Sequence, residues 1–451
     1  MDKKKGHEAL KIETGGEIIL PYDEVYDQAR QTGFSKRLRK LHPVLFILTL
    51  LTHRSAHTRP TIRDLWHAYM KMAFPDGTIP KDFLTYQSFY ERFTEELPLF
   101  LQNLLISAMT RMEQKTCLKL EGKYAKFNAI YLIDSTIIRI HEKLAKMFPA
   151  VRTRIPGKSA GKKLFLIYNA VVHGPSSISL IPERTSDIRI LKIGSWVKGS
   201  LMIMDLGLYK HWNFAKIAEN GGYFIVRLKS LAKPLVKKII IPDSNVDYSQ
   251  YIGRPVSEVL PYLPRGPVAM QVSVSFLRRK YRKKTGKEDS IDFFCVAEYN
   301  PIAERWHTYL TNLSLEEFSV REICALYAFR WTIELLFKEM KSDNELGQLK
   351  SVNDNLTESL ILVSILRTMV SRSVSMLASK YRSEEEENQL HPLLWSRIYK
   401  EHTADIARIL KKEHASGTWF NEEWEELLRY LAGFSIPIKR VPSRMIQPVS
   451  Y

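Results

Sequence analysis

Two short apolar runs, Ala129–Asp134 (AIYLID) and Ser200–Asp205 (SLMIMD), each stop on an aspartate, and they restrict the possible folds more than any other stretch of the chain. Runs of this length that are apolar almost throughout read as strands buried on both faces, the character of a sheet covered by helices. The surrounding segments agree. Leu164–Val172 (LFLIYNAVV), Ile178–Ile181 and Gly222–Leu228 are strand-like, whereas Asp187–Val197 and Lys210–Asn220 read as helices. Strands interleaved with helices predict an α/β layer over residues 126–228.

The flanks have a different texture. Residues 1–125 read as helical, with apolar residues at helical spacing in Leu41–Leu51, Ile62–Phe74 and Phe89–Met112, punctuated by Pro43, Pro75, Pro80 and Pro98. Ser35–Lys40 (SKRLRK) reads as a solubilising helix start, with a DNA-contacting arm as the alternative. Residues 229–314 have little helical period. Their prolines and the alternating runs Val268–Phe276, Ser290–Ala297 and Trp306–Leu310 predict a β-rich insertion, with Arg278–Lys287 as a basic hairpin tip. Helix is expected again over 315–350, running from Leu315 through Ser342. It is also expected over 351–451, in Thr357–Ser379 and, after the acidic break Ser383–Asn388, in Leu393–Leu431.

Composition narrows the class. A chain of 451 residues exceeds the roughly 250–300 at which one core stops growing, so several domains are expected. Its 45% hydrophobic and 11% aromatic content excludes a disordered chain. Cys117, Cys295 and Cys324 form no CxxC pair, which excludes a disulfide scaffold and points to free thiols in a reducing compartment. The basic start, MDKKKGHEALKIE, has no apolar stretch after it and does not read as a secretory signal. Val44–Leu51 is too short to cross a bilayer, so an intracellular protein with no membrane role is expected. The net charge is +18, and 36 basic against 22 acidic residues in 121–350 place +14 of it there. Positive charge gathered in one region is the footprint of a polyanion-binding surface, most commonly for nucleic acid.

Asp134 and Asp205 end their runs at the carboxyl edge, where open α/β sheets bind ligands, although a strand-terminal aspartate also serves as a helix N-cap. A third acid comes from Tyr327–Lys341 (YAFRWTIELLFKEMK). At 100° per residue, with Tyr327 as zero, Arg330 falls near about 300°, Glu334 near about 340° and Lys341 near about 320°. Phe329, Ile333, Leu336 and Met340 make an apolar stripe beside them. An ordinary amphipathic helix with an Arg330–Glu334 pair explains the charges, but not a tyrosine and two cations gathered around one acid.

Tyr327-x2-Arg330-x3-Glu334-x6-Lys341 resembles the Y-(2)-R-(3)-E-(6)-K signature of DDE transposases of the insertion-sequence-four family. Asp134 in Ile-Asp-Ser-Thr and Asp205 in Met-Asp-Leu-Gly resemble that family's first and second catalytic acids. The resemblance implies an RNase H-like core, interrupted by a β-rich insertion before the helix that bears the glutamate. It implies a Mg²⁺-dependent enzyme, with Mn²⁺ able to substitute, that excises an insertion sequence and joins it to target DNA through hairpin ends. Asp134 would bridge two metal ions, with Asp205 on one and Glu334 on the other. Tyr327, Arg330 and Lys341 would clamp phosphates, with Lys338, Arg227 and Lys229 as weaker candidates. Lys162 and Lys163, in the basic loop Val151–Lys163, are expected to contact the phosphate backbone of double-stranded DNA without reading bases. Trp306 resembles the tryptophan that stacks on a flipped base in relatives that form hairpins; a strand aromatic in the core is the alternative. A homodimeric synaptic complex is implied as well, with the N-terminal helices expected to recognise ends and the C-terminal helices to dimerise. The rivals are a catalytically silent DNA-binding regulator and a free-standing RNase H-like nuclease.

Overall fold

The first acid-tipped run lies inside strand β1 (Ala129–Ile140) and the second forms β4 (Ser200–Met204). In the computed structural model the two pair in parallel, with Ile133 opposite Met204. The structure describes residues 21–36, 41–53, 61–81, 83–115, 120, 122–151, 159–241, 246–278, 287–342, 351–379, 381, 392–416 and 421–433. Leu201 to Met204 are wholly buried, as expected for a strand in the middle of a covered sheet.

Around this pair the sheet grows on both sides. Strands β2 (Ala160–Asn169) and β3 (Gly174–Pro182) add antiparallel to the outer edge of β1. On the other side β5 (Tyr223–Arg227) lies parallel to β4. Residues 229–314 do form strands: β6 (Leu235–Ile240), β7 (Val268–Arg278), β8 (Lys287–Asn300) and β9 (Arg305–Thr311). They do not stand apart from the core. Antiparallel pairing of β9 with β5 makes one nine-stranded sheet of order β3-β2-β1-β4-β5-β9-β8-β7-β6. Of the expected basic hairpin tip, the pair Arg278–Lys287 closes the ladder, and 279–286 lie outside the described residues.

Helices cover both faces. The N-terminal group is α1 (Tyr22–Gln31), α2 (Pro43–Thr52), α3 (Ile62–Ala73), α4 (Tyr86–Tyr90) and α5 (Glu96–Lys115). The expected helix from Phe89 to Met112 is thus two, and Pro98, which lacks a backbone N–H, sits in the first turn of the second. Residues 37–40 of the expected basic helix start lie outside the described residues. Next come α6 (Asp187–Ile190), α7 (His211–Glu219) and α8 (Val256–Val259). The helix expected over Asp187–Val197 is only the four-residue α6 plus a 3-10 turn at Ser195–Val197, with an extended Gly194 before that turn. Last are α9 (Val320–Ala328), α10 (Trp331–Ser342), α11 (Asp354–Ser379), α12 (Pro392–Glu401), α13 (Thr403–Ser416) and α14 (Asn421–Ala432). The acidic break Ser383–Asn388 and Cys117 lie outside the described residues.

Strand alternation sends Leu132, Leu201, Ile203, Ile225 and Tyr309 to one face and Ile133, Met202, Met204, Val226 and Leu310 to the other. The first face packs against the N- and C-terminal helices together, and the second against α7, α8 and the inner side of β6–β8. The two terminal helical regions therefore share one core. Arg367 of α11 donates from Nη2 to the carbonyl oxygens of Leu50 (2.6 Å) and His53 (2.8 Å), which stitches α11 to the end of α2. Helix α11 is long and apolar enough to span a bilayer, but 78% of its apolar window is buried within the fold.

Candidate active site

The parallel register of β1 and β4 leaves Asp134 and Asp205 as the next residues in step, both on the face that receives α9 and α10. Across from them, Glu334 lies one turn into α10. A capping box starts α9: the Ser319 side chain accepts from the Glu322 N–H, and the Glu322 carboxylate accepts from the Ser319 N–H at 2.9 Å.

Sequence periodicity treats Tyr327–Lys341 as one helix, but the structure breaks it at Phe329–Arg330. The bonds there run i to i+3: Arg330 N–H to the Tyr327 carbonyl (3.0 Å), Thr332 to Phe329 (3.0 Å) and Ile333 to Arg330 (3.1 Å). Phe329, expected in the apolar stripe, sits in this turn and is 40% exposed. Trp331, on the other side of Arg330, is 43% exposed. An aromatic on the polar side of this helix was legible in the sequence, since Trp331 falls near about 40° on the same wheel.

Arg330 turns inward. Its Nη2 bonds to Glu334 Oε1 at 2.6 Å and its Nη1 lies 3.4 Å from Asp134 Oδ2, so one guanidinium bridges the first and third acids. It also lies 5.6 Å from the centre of the Tyr327 ring. Tyr327 is buried against Tyr309 of β9, ring centres 4.5 Å apart. Burial, with the charge of Asp205 adding to it, pushes the Tyr327 hydroxyl above its ordinary value. Asp134 is pushed up to about 6, first by burial and then by the charges of Asp205 and Glu334. The Ser135 backbone N–H at 2.7 Å and Arg330 pull the other way.

Asp134, Ser135, Thr136, Glu334, Phe337, Lys338, Lys341 and Ser342 line an open cleft of about 510 Å³. Lys338 is exposed at its rim. Lys341 is half-buried, and its ammonium is held below the usual lysine range by burial and then by the nearby Arg139 of β1. Arg139, whose charge acts on Lys341, is itself spent inside the protein, donating from Nη2 to Oε1 of the buried Glu183 at 3.2 Å. Arg227 ends β5 opposite Tyr309 and acts electrostatically on Tyr327. Lys229, two residues on, is exposed.

Three expectations need correcting. Lys162 is not a DNA-facing cation: only 3% exposed, it pairs with Asp354 (2.7 Å) and Glu358 (3.0 Å) at the start of α11. Its ammonium also sits 4.3 Å from the Phe148 ring centre. Lys163 is likewise occupied, donating to Asp187 Oδ1 (2.6 Å) and the Thr185 carbonyl (2.7 Å). Both belong to β2, where ladder pairing turns adjacent side chains to opposite faces, so neither lies in a basic loop. Trp306 lies on the sheet face opposite the acids, packed with the second core and edge-on to Tyr299 (5.4 Å, 71°). The strand-aromatic alternative describes it.

A model of the transposase DDE domain matches residues 125–367, more than half of the chain and all three acids. The chain belongs to the DDE transposase family. Among its relatives is the transposase of insertion sequence element IS231E from Bacillus thuringiensis subsp. finitimus, 21% identical over 89% of this chain and 91% of that one. The IS231B transposase of B. thuringiensis subsp. berliner is 22% identical over 85% of each, and that of IS1151 from Clostridium perfringens is 21% identical over 68% of this chain and 70% of that one. A solved piggyBac transposase synaptic complex with hairpin DNA aligns at TM-score 0.41 and 10% identity, over 97% of this chain and 89% of that chain. This transposase is accordingly a DNA-acting enzyme of an insertion sequence. Its expected placement in the insertion-sequence-four family is consistent with these relatives, and neither a silent regulator nor a free-standing nuclease is favoured.

Proposed function

We propose that this transposase frees and joins the ends of its element in the cleft between β1, β4 and α10, with Asp134, Asp205 and Glu334 as its catalytic acids. One observation carries the reading: strand register puts two aspartates side by side, and the α9–α10 break brings a glutamate across from them. The order β3-β2-β1-β4-β5, antiparallel across the first three strands and parallel from β1 to β5, supports an RNase H-like core.

The acids suit Mg²⁺, or Mn²⁺ in its place, because all three offer hard oxygen donors. The Asp134 carboxyl is raised first by burial and then by the charges of Asp205 and Glu334, which a bound cation would offset. Among the described residues no three acidic, histidine or cysteine side chains stand close enough to grip an ion as arranged here, and the Arg330 guanidinium lies between Asp134 and Glu334. Asp134, Asp205 and Glu334 would hold the divalent ions, which would supply activation of a water and charge neutralisation on the attacking and leaving oxygens. Arg330 would then turn its fork to a phosphate, for which its planar donors are suited. Lys341, Lys338, Arg227 and Lys229 neutralise backbone phosphates of double-stranded DNA along the cleft. The exposed Trp331 ring offers a stacking face for a base beside the scissile phosphate. Joining to target DNA, hairpin ends and pairing of two copies at the element's ends follow from the same reading.

Alanine at Asp134, Asp205 or Glu334 is expected to abolish Mg²⁺-dependent strand cleavage of the element's ends, with binding of those ends retained in a gel-shift assay. Cleavage that survives any one of the three replacements overturns the assignment.

A further inference from the structure

Behind the acids, on the other side of the sheet, a fourth carboxylate is fully engaged. Ser135 follows Asp134 on β1 and therefore points to the opposite face, where its hydroxyl donates to Asp187 Oδ2 at 2.7 Å. The other oxygen, Asp187 Oδ1, accepts from Lys163 Nζ of β2 at 2.6 Å, and Lys163 also donates to the Thr185 carbonyl at 2.7 Å. The Ser135 backbone N–H donates to Asp134 Oδ1 at 2.7 Å. Ser135 thus holds the first acid from one side and Asp187 from the other. Asp187 reaches the second acid's loop as well: a Cβ on Gly207, two residues after Asp205, would lie 3.5 Å from Asp187 Oδ2. That loop is a tight turn, with the Leu208 N–H bonded to the Asp205 carbonyl at 3.0 Å.

We infer that Asp187, locked by Lys163, is a positioning residue that fixes the Asp134–Ser135 segment and the Asp205–Gly207 turn relative to each other, and so sets the site's affinity for a divalent cation. The inference rests on the assignment of Asp134 and Asp205 as metal-holding acids. Asp187 is not itself a ligand, since one oxygen is committed to a hydroxyl and the other to an ammonium. Groups that orient ligands in this way are worth about 10–100-fold in metal affinity when removed.

The test is Mn²⁺ binding to the full-length protein, followed by electron paramagnetic resonance without DNA, alongside thermal unfolding and gel-shift of element ends. Ser135→Ala removes only the hydroxyl link and is expected to weaken Mn²⁺ binding about tenfold, with end binding unchanged. Ser135→Thr, which keeps the hydroxyl, is expected to restore it. Asp187→Asn is expected to weaken Mn²⁺ at least as much as Ser135→Ala, because it also loosens Lys163. Wild-type Mn²⁺ affinity in folded Ser135→Ala and Asp187→Asn overturns the inference. A threonine variant as weak as the alanine variant overturns it too, because the hydroxyl bond is then not what matters. If Asp134→Ala and Asp205→Ala also bind Mn²⁺ like the wild type, the metal-site reading fails instead.

Discussion

Burial and the neighbouring charges of Asp205 and Glu334 push the Asp134 carboxyl to about 6, and this has opposite consequences for stability and for activity. In the unfolded chain an aspartate titrates near about 4, so the folded state takes up this proton more readily. The penalty of ionising Asp134 is absent below about pH 4 and fully present once the pH has risen through about 6. Asp134→Asn should therefore raise the thermal midpoint near pH 7.5 in metal-free buffer by a free-energy gain on the order of 1–3 kcal/mol. That gain should shrink as pH falls below about 6 and vanish near about pH 4. Metal binding needs the ionised carboxylate, so cleavage by the wild type should fall as pH drops through about 6. Arg330→Leu, by removing a charge that lowers the Asp134 pKa, should move that fall to higher pH in a pH–rate profile. At this scale the sequence was informative wherever chemistry imposed a pattern: Asp134, Glu334 and Lys341 line one cleft, with Arg330 bridging the two acids beside Tyr327. It was uninformative where charge alone was the signal. Lys162 and Lys163 are basic residues in a basic stretch, and only their partners on α11 and α6, remote in sequence, show that their charge is spent inside the protein.

Elements were legible where the apolar period was uninterrupted, as in β4 and α7, and illegible where tertiary contacts override the local pattern. Nothing in Tyr327–Lys341 is a proline or glycine, yet the helix breaks at Phe329–Arg330, where the Arg330 side chain bridges Asp134 and Glu334. Helix α10, which carries Glu334, is held from its other side too. Glu339, wholly buried five residues after Glu334, pairs with Arg372 of α11. Arg372→Met takes the guanidinium from a buried carboxylate and is expected to cost about 3–5 kcal/mol in urea unfolding. Pairing it with Glu339→Leu should recover most of that loss, because a buried ion pair replaced by apolar groups is close to neutral. Recovery of stability without recovery of cleavage would show that the pair sets the placement of Glu334 as well as holding the fold.

Across the whole molecule, the segment boundaries suggested by composition hold less firmly than the elements within them. Residues 229–314 continue the core sheet through the β5–β9 pairing, and the two terminal helical regions, far apart in sequence, meet in a single core. Neither junction leaves a local signature, because both are made by pairing and packing between distant segments. The net charge of +18 acts at this scale, and binding of element ends should weaken steeply with salt. Lys341→Ala should lower the slope of log K against log salt by about 1, whereas Lys162→Met should leave the slope unchanged. The meeting of Asp134 and Asp205 depends on the ladder that pairs Ala129 with Ser200 through Ile133 with Met204. Deleting a single residue within 129–133 would leave a strand able to pair, yet send the first carboxylate to the wrong side of the sheet. For an insertion sequence this is a quiet route to extinction: a copy losing one codon there would still make a folded, DNA-gripping protein, one that occupies the ends of its kin without ever cutting them.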